Sequence, residues 1–409
     1  MSLNFRFAVI SDIHAALPHT IWQHPSRMHL VEVGIPALEV VLERLRDLDL
    51  DFLLIPGDLT QHGEPDNHQW MAQRLARLPY PVYVIPGNHD IPVMEANHQS
   101  IAYAEFPHFY RSFGYEDPNR HDYSQVILPG VRLIGLNSNT FDAQGKQVGR
   151  LTDEQLGWLQ EVLAQATHEF VIVMIHHNVC EHMPQQSEQP LGKRYILENA
   201  AELRQLLRAY NVNLVFTGHL HIQDVAYEDG VYDITTGSLV SYPHPYRVFQ
   251  FQTDRQGRHW LHMDSGRVEA IPEWQTLAQD THRLMSDRSA SYMLQLLMQP
   301  PLNLPQAEAE ALVSDLHHFW PAVAQGDAVF QFPHFPESVR RYFESFSTPT
   351  EIDNHAFLPL GETRVAACSV KAYNLQPLSL SSRSLLFQSK AEEACVPELT
   401  CLNNVGHTG

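Results

Sequence analysis

Ten side chains with metal-binding chemistry stand in short groups along the first 221 residues: Asp12 and His14, Asp58, Asn88 with His89 and Asp90, His176 and His177, and His219 and His221. Carboxylate and carboxamide oxygens and imidazole nitrogens form a donor set that suits Mn, Fe, Zn and Co ions alike, and no thiolate belongs to it. An Asp can bridge two cations with its two oxygens, and an Asn offers a neutral carbonyl oxygen. Glycines directly before Asp58, Asn88 and His219 permit tight turns and close backbone approach. Asp12 with His14, and His219 with His221, are two residues apart, a spacing that on extended chain turns both side chains the same way. Each group taken singly would read as a turn or a cap. The set together reads as a metal centre.

The elements around these residues explain how they meet. Short apolar runs at 5–10, 52–55, 82–85, 170–175 and 214–216 have the length and composition of buried strands. Each is followed at once by one of the groups above. Helical spacing appears between them: Ile35, Leu38, Val41, Leu42, Leu45 and Leu48, then Leu156, Leu159, Val162 and Leu163, then Leu203, Leu206, Leu207 and Tyr210. Thr152, with Gln155 three positions on, reads as an N-cap with its capping-box partner. Alternating strands and helices predict an α/β fold, and in open α/β sheets ligands bind at the carboxyl ends of the strands. The runs 231–235 and 247–251 lack intervening helices and suggest a second sheet.

The 409 residues suit one large domain with a smaller one. We expect a catalytic domain over 1–270, a helical cap or dimerisation appendage over 271–346, and a weakly patterned tail, poorly ordered or extended, over 347–409. Lys and Arg number 27 against 47 Asp and Glu, giving a net charge of −20. That argues against broad nucleic-acid or anionic-membrane binding, although bound metal ions reverse the local field around a small anion. No apolar stretch is long enough to span a bilayer. The four cysteines at 180, 368, 395 and 401 form neither a disulfide framework nor a CxxC pair. With no cleavage-type segment in the first ten residues, a cytoplasmic protein is expected.

The order Asp-x-His, Gly-Asp, Gly-Asn-His-Asp, His, Gly-His-x-His resembles the calcineurin-like metallophosphoesterase superfamily. Within it, the chain is most similar to the class III cyclic-nucleotide and glycerophosphodiester phosphodiesterases, over residues 4–250. The resemblance implies a pair of packed sheets flanked by helices. It implies that Asp12, His14 and His221 hold one metal, that Asn88, His176 and His219 hold another, and that Asp58 bridges them. His89 would stay off the metals and face the phosphate as the catalytic residue. Two metals about 3.5–4 Å apart would clamp the phosphate and activate a water as hydroxide. Gln61 stands where Ser/Thr protein phosphatases carry an Asp and purple acid phosphatases a metal-bound Tyr, and Asp90 stands where the protein phosphatases carry Glu. These departures favour a phosphodiesterase acting on a small phosphodiester, with a 3′,5′-cyclic nucleotide as candidate. A broad-specificity phosphomonoesterase and an inactive metal-binding scaffold are the alternatives. Similar phosphodiesterases are often homo-oligomers.

Other polar residues near the motifs have plainer readings. Thr60 and His62 suit loop hydrogen bonds, Asp90 a turn, and Cys180 an inert thiol rather than a ligand. His177 is balanced between packing and a substrate edge, while His24 and His29 fall in a loop after the first motif, for which a pocket rim is the lesser reading. The aromatic cluster Phe106, Phe109, Tyr110 and Phe113 suits core or lid packing.

Overall fold

A computed structural model describes residues 2–22, 29–190, 192–348 and 352–361. The first sheet contains β1 (Asn4–Val9), β2 (Phe52–Ile55) and β3 (Val82–Val84), with α1 (Gly34–Arg46) and α2 (Pro65–Leu75) in the connections and α3 (Phe106–Phe109) after β3. The second begins with β4 (Tyr123–Leu128) and β5 (Val131–Leu136), passes a small ribbon of β6 (Asn139–Phe141) and β7 (Gln147–Gly149), and continues through α4 (Asp153–Gln165), β8 (Phe170–Ile175), α5 (Ala200–Ala209), β9 (Leu214–Thr217), β10 (Asp224–Glu228) and β11 (Val231–Thr235). The chain then returns to the first sheet as β12 (Pro245–Thr253) and β13 (His259–Arg267). Helices α6 (Leu277–Met298), α7 (Gln306–Val313), α8 (Phe319–Gln325) and α9 (Glu337–Glu344) follow, before β14 (His355–Leu360).

The sheets are ordered β14-β13-β12-β1-β2-β3 and β10-β11-β9-β8-β5-β4. Strands β1, β2 and β3 are parallel, as are β5, β8, β9 and β11. The α/β two-sheet architecture is as expected, with one difference in strand assignment. The run 247–251 does not enter the second sheet: it lies in β12, antiparallel to β1, with Phe7 opposite Phe249 and Phe5 opposite Phe251. The second sheet starts earlier, at β4. Those aromatic pairs explain the assignment. Phe7 stacks on Phe52 and Phe249 at 4.9 and 4.8 Å and meets Phe216 of the other sheet edge-on at 5.4 Å.

Alternation along β8 shows how the layers are built. Ile172 and Met174 enter the core shared with Phe7, Phe52 and Phe216. Val173 and Ile175 point the other way, into a cluster with Leu159 and Leu163 of α4 and Leu203 and Leu207 of α5. Thr152 caps α4 as predicted: its Oγ1 accepts from Gln155 N at 3.2 Å, and Gln155 Oε1 accepts from Thr152 N at 2.9 Å.

The helices after 276 carry a third apolar cluster, in which Met293, Leu296, Leu297, Phe319 and Phe343 pack with Leu220 and Ile222. Within the span expected as a tail, residues 355–360 form β14, the edge strand beside β13. Buried polar residues anchor its entrance. Arg247 donates to the carbonyls of Thr235 and Asp353, and Asp353 Oδ1 accepts from Val225 N at 3.2 Å. Nothing of 362–409 falls among the described residues. No described helix is long and apolar enough to cross a membrane.

Candidate metal centre

Every group singled out above follows the carboxyl end of a parallel strand: β1, β2 and β3 in one sheet, β8 and β9 in the other. Backbone hydrogen bonds hold the segments against each other. Asp12 N donates to Gly57 O, His14 N to Asp58 O, and Gly218 N to His176 O. The glycines serve close approach. A Cβ on Gly87 would lie 2.1 Å from Asp58 Oδ1, and one on Gly218 would lie 2.2 Å from Ser11 Oγ and 2.5 Å from Asp12 Oδ2.

The paired residues do face one site, for a reason other than extended alternation. Asp12, His14, Asp58, His219 and His221 all have left-handed backbone, with φ of 51, 45, 51, 66 and 60°. Such φ values are uncommon outside glycine and cost of order 1–3 kcal/mol each in sparsely populated regions, and they concentrate at functional sites. The sharp turns they make fold each short loop back over its strand end.

Two clusters result. Asp12, His14, Asp58 and His221 offer ligand atoms all within 4.8 Å of one another, and so do Asp58, His176 and His219. Asp58 belongs to both: its Oδ2 lies 3.7 Å from His14 Nε2 and 3.4 Å from His176 Nε2. His221 Nε2 is 3.1 Å from Asp12 Oδ1 and 3.5 Å from His14 Nε2. Asn88 joins the second cluster, its Oδ1 being 3.2 Å from His176 Nε2.

Backbone carbonyls select the imidazole tautomers, as metal ligands require. Pro56 O, 2.8 Å from His176 Nδ1, accepts its proton and leaves Nε2 facing Asp58. Arg194 O, 3.2 Å from His219 Nε2, does the same and leaves Nδ1 as the basic nitrogen. Burial, reinforced by neighbouring histidines, pushes His14 and His219 well below the usual imidazole range, so both are neutral. At His176 burial acts the same way, but the Asp58 carboxylate outweighs it and raises the group to about 9. A positive charge is therefore favoured between Asp58 and His176, near where ligand atoms of Asp58, His176 and His219 converge. Buried carboxylates, imidazoles and a carboxamide oxygen in two groups sharing one Asp fit a pair of first-row metal ions.

His89 lies beside the clusters, its ring centroid 4.7 Å from that of His14. Its backbone N donates to Asp58 Oδ1 at 2.8 Å. Its Nδ1 lies 2.8 Å from Gln61 O, which accepts the proton and leaves Nε2 for the cleft. The backbone carbonyl of Gln61 thus orients this ring.

The other residues singled out in the sequence also find places. Asp90 organises the turn, accepting from Gly87 N, Leu59 N and Thr60 N at 2.9, 3.1 and 2.9 Å. Thr60 Oγ1 is bonded to Asp90 Oδ1 at 3.0 Å, so its hydroxyl serves the loop. His62 stacks on Trp22 at 5.8 Å and lies 6.2 Å from His89. His177 packs: its Nδ1 is 2.7 Å from Ser138 Oγ, and burial beside His176 lowers it to about 3. Cys180 is buried, its thiol raised by that burial. Phe106, Tyr110 and Phe113 are core residues. His24 lies outside the described residues.

His29 does more than line a rim. It stacks on His14 at 4.4 Å and forms a third potential ligand group with His14 and His221. No periodic spacing in its loop marks it. A supporting ion pair is likewise silent in the sequence. Buried His182 places Nδ1 2.7 Å from Asp224 Oδ2 and Nε2 3.1 Å from Asp233 Oδ2, the latter as an ion pair without hydrogen-bond alignment. Asp233 in turn accepts from Val179 N, Cys180 N and Thr217 Oγ1, bracing the segments after His176 and before His219.

Burial opposes charge on His182, but Asp233 and Asp224 outweigh it and raise it to about 10. Because this exceeds the unfolded value of about 6.5, the stabilisation is fully present below that pH and is lost as pH rises through the folded pKa. We predict that His182→Ala, which takes the cation from Asp233 but leaves its three hydrogen bonds, costs about 3 kcal/mol in urea unfolding. The gap between wild type and variant should shrink from pH 7 toward pH 10. A constant gap would show that the imidazolium charge contributes nothing.

Comparison with known proteins agrees with this geometry. The family model described as calcineurin-like phosphoesterase matches residues 5–223. The chain belongs to that family. The calcineurin-like phosphoesterase match ends shortly after His221, so α6–α9 and β14 lie beyond it. A probable glycerophosphodiester phosphodiesterase of Arcobacter nitrofigilis is 28% identical over 42% of this chain and 56% of its own. A probable cyclic nucleotide phosphodiesterase of Psychrobacter sp. is 28% identical over 47% and 53%. Another probable cyclic nucleotide phosphodiesterase, of Vesicomyosocius okutanii, is 24% identical over 58% and 88%. The chain thus spans little more than half the length of the first two relatives.

Proposed function

We propose that this phosphoesterase is a dinuclear-metal phosphodiesterase that hydrolyses a small phosphodiester, with a 3′,5′-cyclic nucleotide as candidate. The observation that carries the reading is the sharing of Asp58 between two ligand clusters with His89 beside them. Asp12, His14 and His221 would hold one metal ion, Asn88, His176 and His219 the other, and Asp58 both. Such a pair supplies positive charge for the phosphoryl oxygens and makes water acidic enough to act as nucleophile near neutral pH.

The protein's own groups do the rest. The left-handed turns at Asp12, His14, Asp58, His219 and His221 fix the donors before substrate arrives, so little reorganisation accompanies reaction. His89, its Nδ1–H held by Gln61 O, presents Nε2 to the cleft. From there it can give a proton to the departing ester oxygen. Relatives with phosphodiesterase names, cyclic nucleotides among them, support a diester over a monoester.

The test is hydrolysis of bis-p-nitrophenyl phosphate beside p-nitrophenyl phosphate by Mn-reconstituted protein. We expect kcat/KM for the diester to exceed that for the monoester by roughly tenfold or more. A monoester preference would turn the assignment to a phosphomonoesterase. Hydrolysis of neither, with metal bound, would leave a metal-binding scaffold.

A further inference from the structure

The cleft over the clusters is larger than a phosphate group needs. It has a volume of about 490 Å³, within the roughly 300–1,000 Å³ typical of sites for small organic ligands. Asp58, Asn88, His89, His219 and His221 form its floor. Its side is built from Tyr195 and from residues beyond the family match, namely Leu284, Met285, Arg288 and Tyr292 of α6 and Trp320 of α8.

This side is fastened to the candidate ligands. Leu220 and Ile222, which flank His221, share an apolar cluster with Met293, Leu296 and Phe319. His244 Nε2 and Thr281 Oγ1 are hydrogen-bonded at 2.9 Å, and Tyr242 Oη donates to Gln325 Oε1 at 2.5 Å. The aromatic rings are equally constrained. Tyr195 lies 5.0 Å from the His219 ring, and Tyr292 meets Trp320 edge-on at 5.0 Å.

Charge marks the same surface. The protein carries a net charge of −20, yet the cleft has Asp58 as its one carboxylate among the described residues, against the guanidinium groups of Arg194 and Arg288. The lining is therefore cationic and aromatic above a phosphate-sized floor. An aliphatic polyol placed against Tyr292, Trp320 and Met285 would cover little of their aromatic faces. A flat ring would gain contact with aromatic faces and edges.

We propose that α6 and α8 form the specificity wall of this site and that its substrate is a phosphoester bearing an aromatic ring. Tyr195, Tyr292 and Trp320 receive the ring, and Arg288 attracts the substrate's negative charge. The inference rests on the reading above only in placing the phosphate at the two clusters.

Calorimetric binding of phenylphosphonate and ethylphosphonate to the Mn-loaded full chain tests it, because the two share a head group and neither is an ester. We expect phenylphosphonate to bind about tenfold more tightly. Tyr292→Ala and Trp320→Leu should reduce that advantage to about twofold or less and leave ethylphosphonate unchanged. Arg288→Gln, a change on an exposed side chain, should weaken both ligands by the same several-fold factor, more at low salt. Equal affinities in the wild type, or equal losses for both ligands in the two aromatic variants, would overturn the proposal. Ring preference in a protein that cleaves no diester would leave the wall standing and reject the phosphodiesterase reading. Diester cleavage without ring preference would do the reverse.

Discussion

Asp58→Ala should lower hydrolysis of the preferred ester by at least about 10⁴-fold, because the barrier reduction that two metal ions supply depends on both being held. Asp58 is the residue common to both ligand clusters, with Oδ2 set between His14 Nε2 and His176 Nε2. Its other oxygen, Oδ1, accepts the His89 backbone N–H. One substitution therefore removes a donor from each metal position and a brace from the catalytic candidate. Activity alone would not separate these effects, so metal content and metal-linked stability must be measured as well. Wild type should bind two ions per chain and gain about 2.7 kcal/mol of stability per ion at a metal concentration 100 times Kd. Asp58→Ala should hold at most one ion and lose much of that gain. Full metal content in the variant would reject the bridging role, whatever the rate.

The candidate ligand groups were legible in the sequence because each is short and local. A strand's apolar run ends, a glycine or turn follows, and a donor comes next, so register and position are fixed within a few residues. The α/β class was legible for the same reason. Four things were not. The first is backbone hand: Asp12 and His14 look like an extended pair, and only the fold shows φ of 51 and 45°. The second is the support layer. His182, Asp224 and Asp233 are far apart in the chain and resemble surface residues until β11 brings Asp233 behind the strand ends. The third is the strand at 355–360: Ala356, Leu358 and Leu360 alternate into the main core, but the run is short, contains Pro359 and is entered through polar contacts. The Arg247 side chain donates to Asp353 O, and Asp327 and Asp353 each accept the other's backbone N–H, a kind of contact that apolar periodicity cannot register. The fourth, hidden for the same reason, is His29, brought to His14 by a loop with no regular element.

His89→Ala should reduce the rate by about 10²–10⁴-fold, the range of general acid–base catalysis, with the metal content unchanged. The geometry sets both halves of that expectation. His89 contributes its backbone N–H to Asp58, which alanine preserves, and its Nδ1–H to Gln61 O, which alanine removes. The imidazole therefore orients itself without holding Asp58 in place. If Nε2 protonates the departing oxygen, the loss must depend on the leaving group. It should be large for an alkyl ester, whose alkoxide needs a proton to depart, and small for p-nitrophenolate, which departs as the anion. If His89 instead stabilises charge on the phosphoryl oxygens, both esters lose the same factor, since the phosphoryl group is common to them. Comparing the two losses decides between these roles. An unchanged rate with either ester would remove His89 from the chemistry and leave it as a packing partner of His14 and His29.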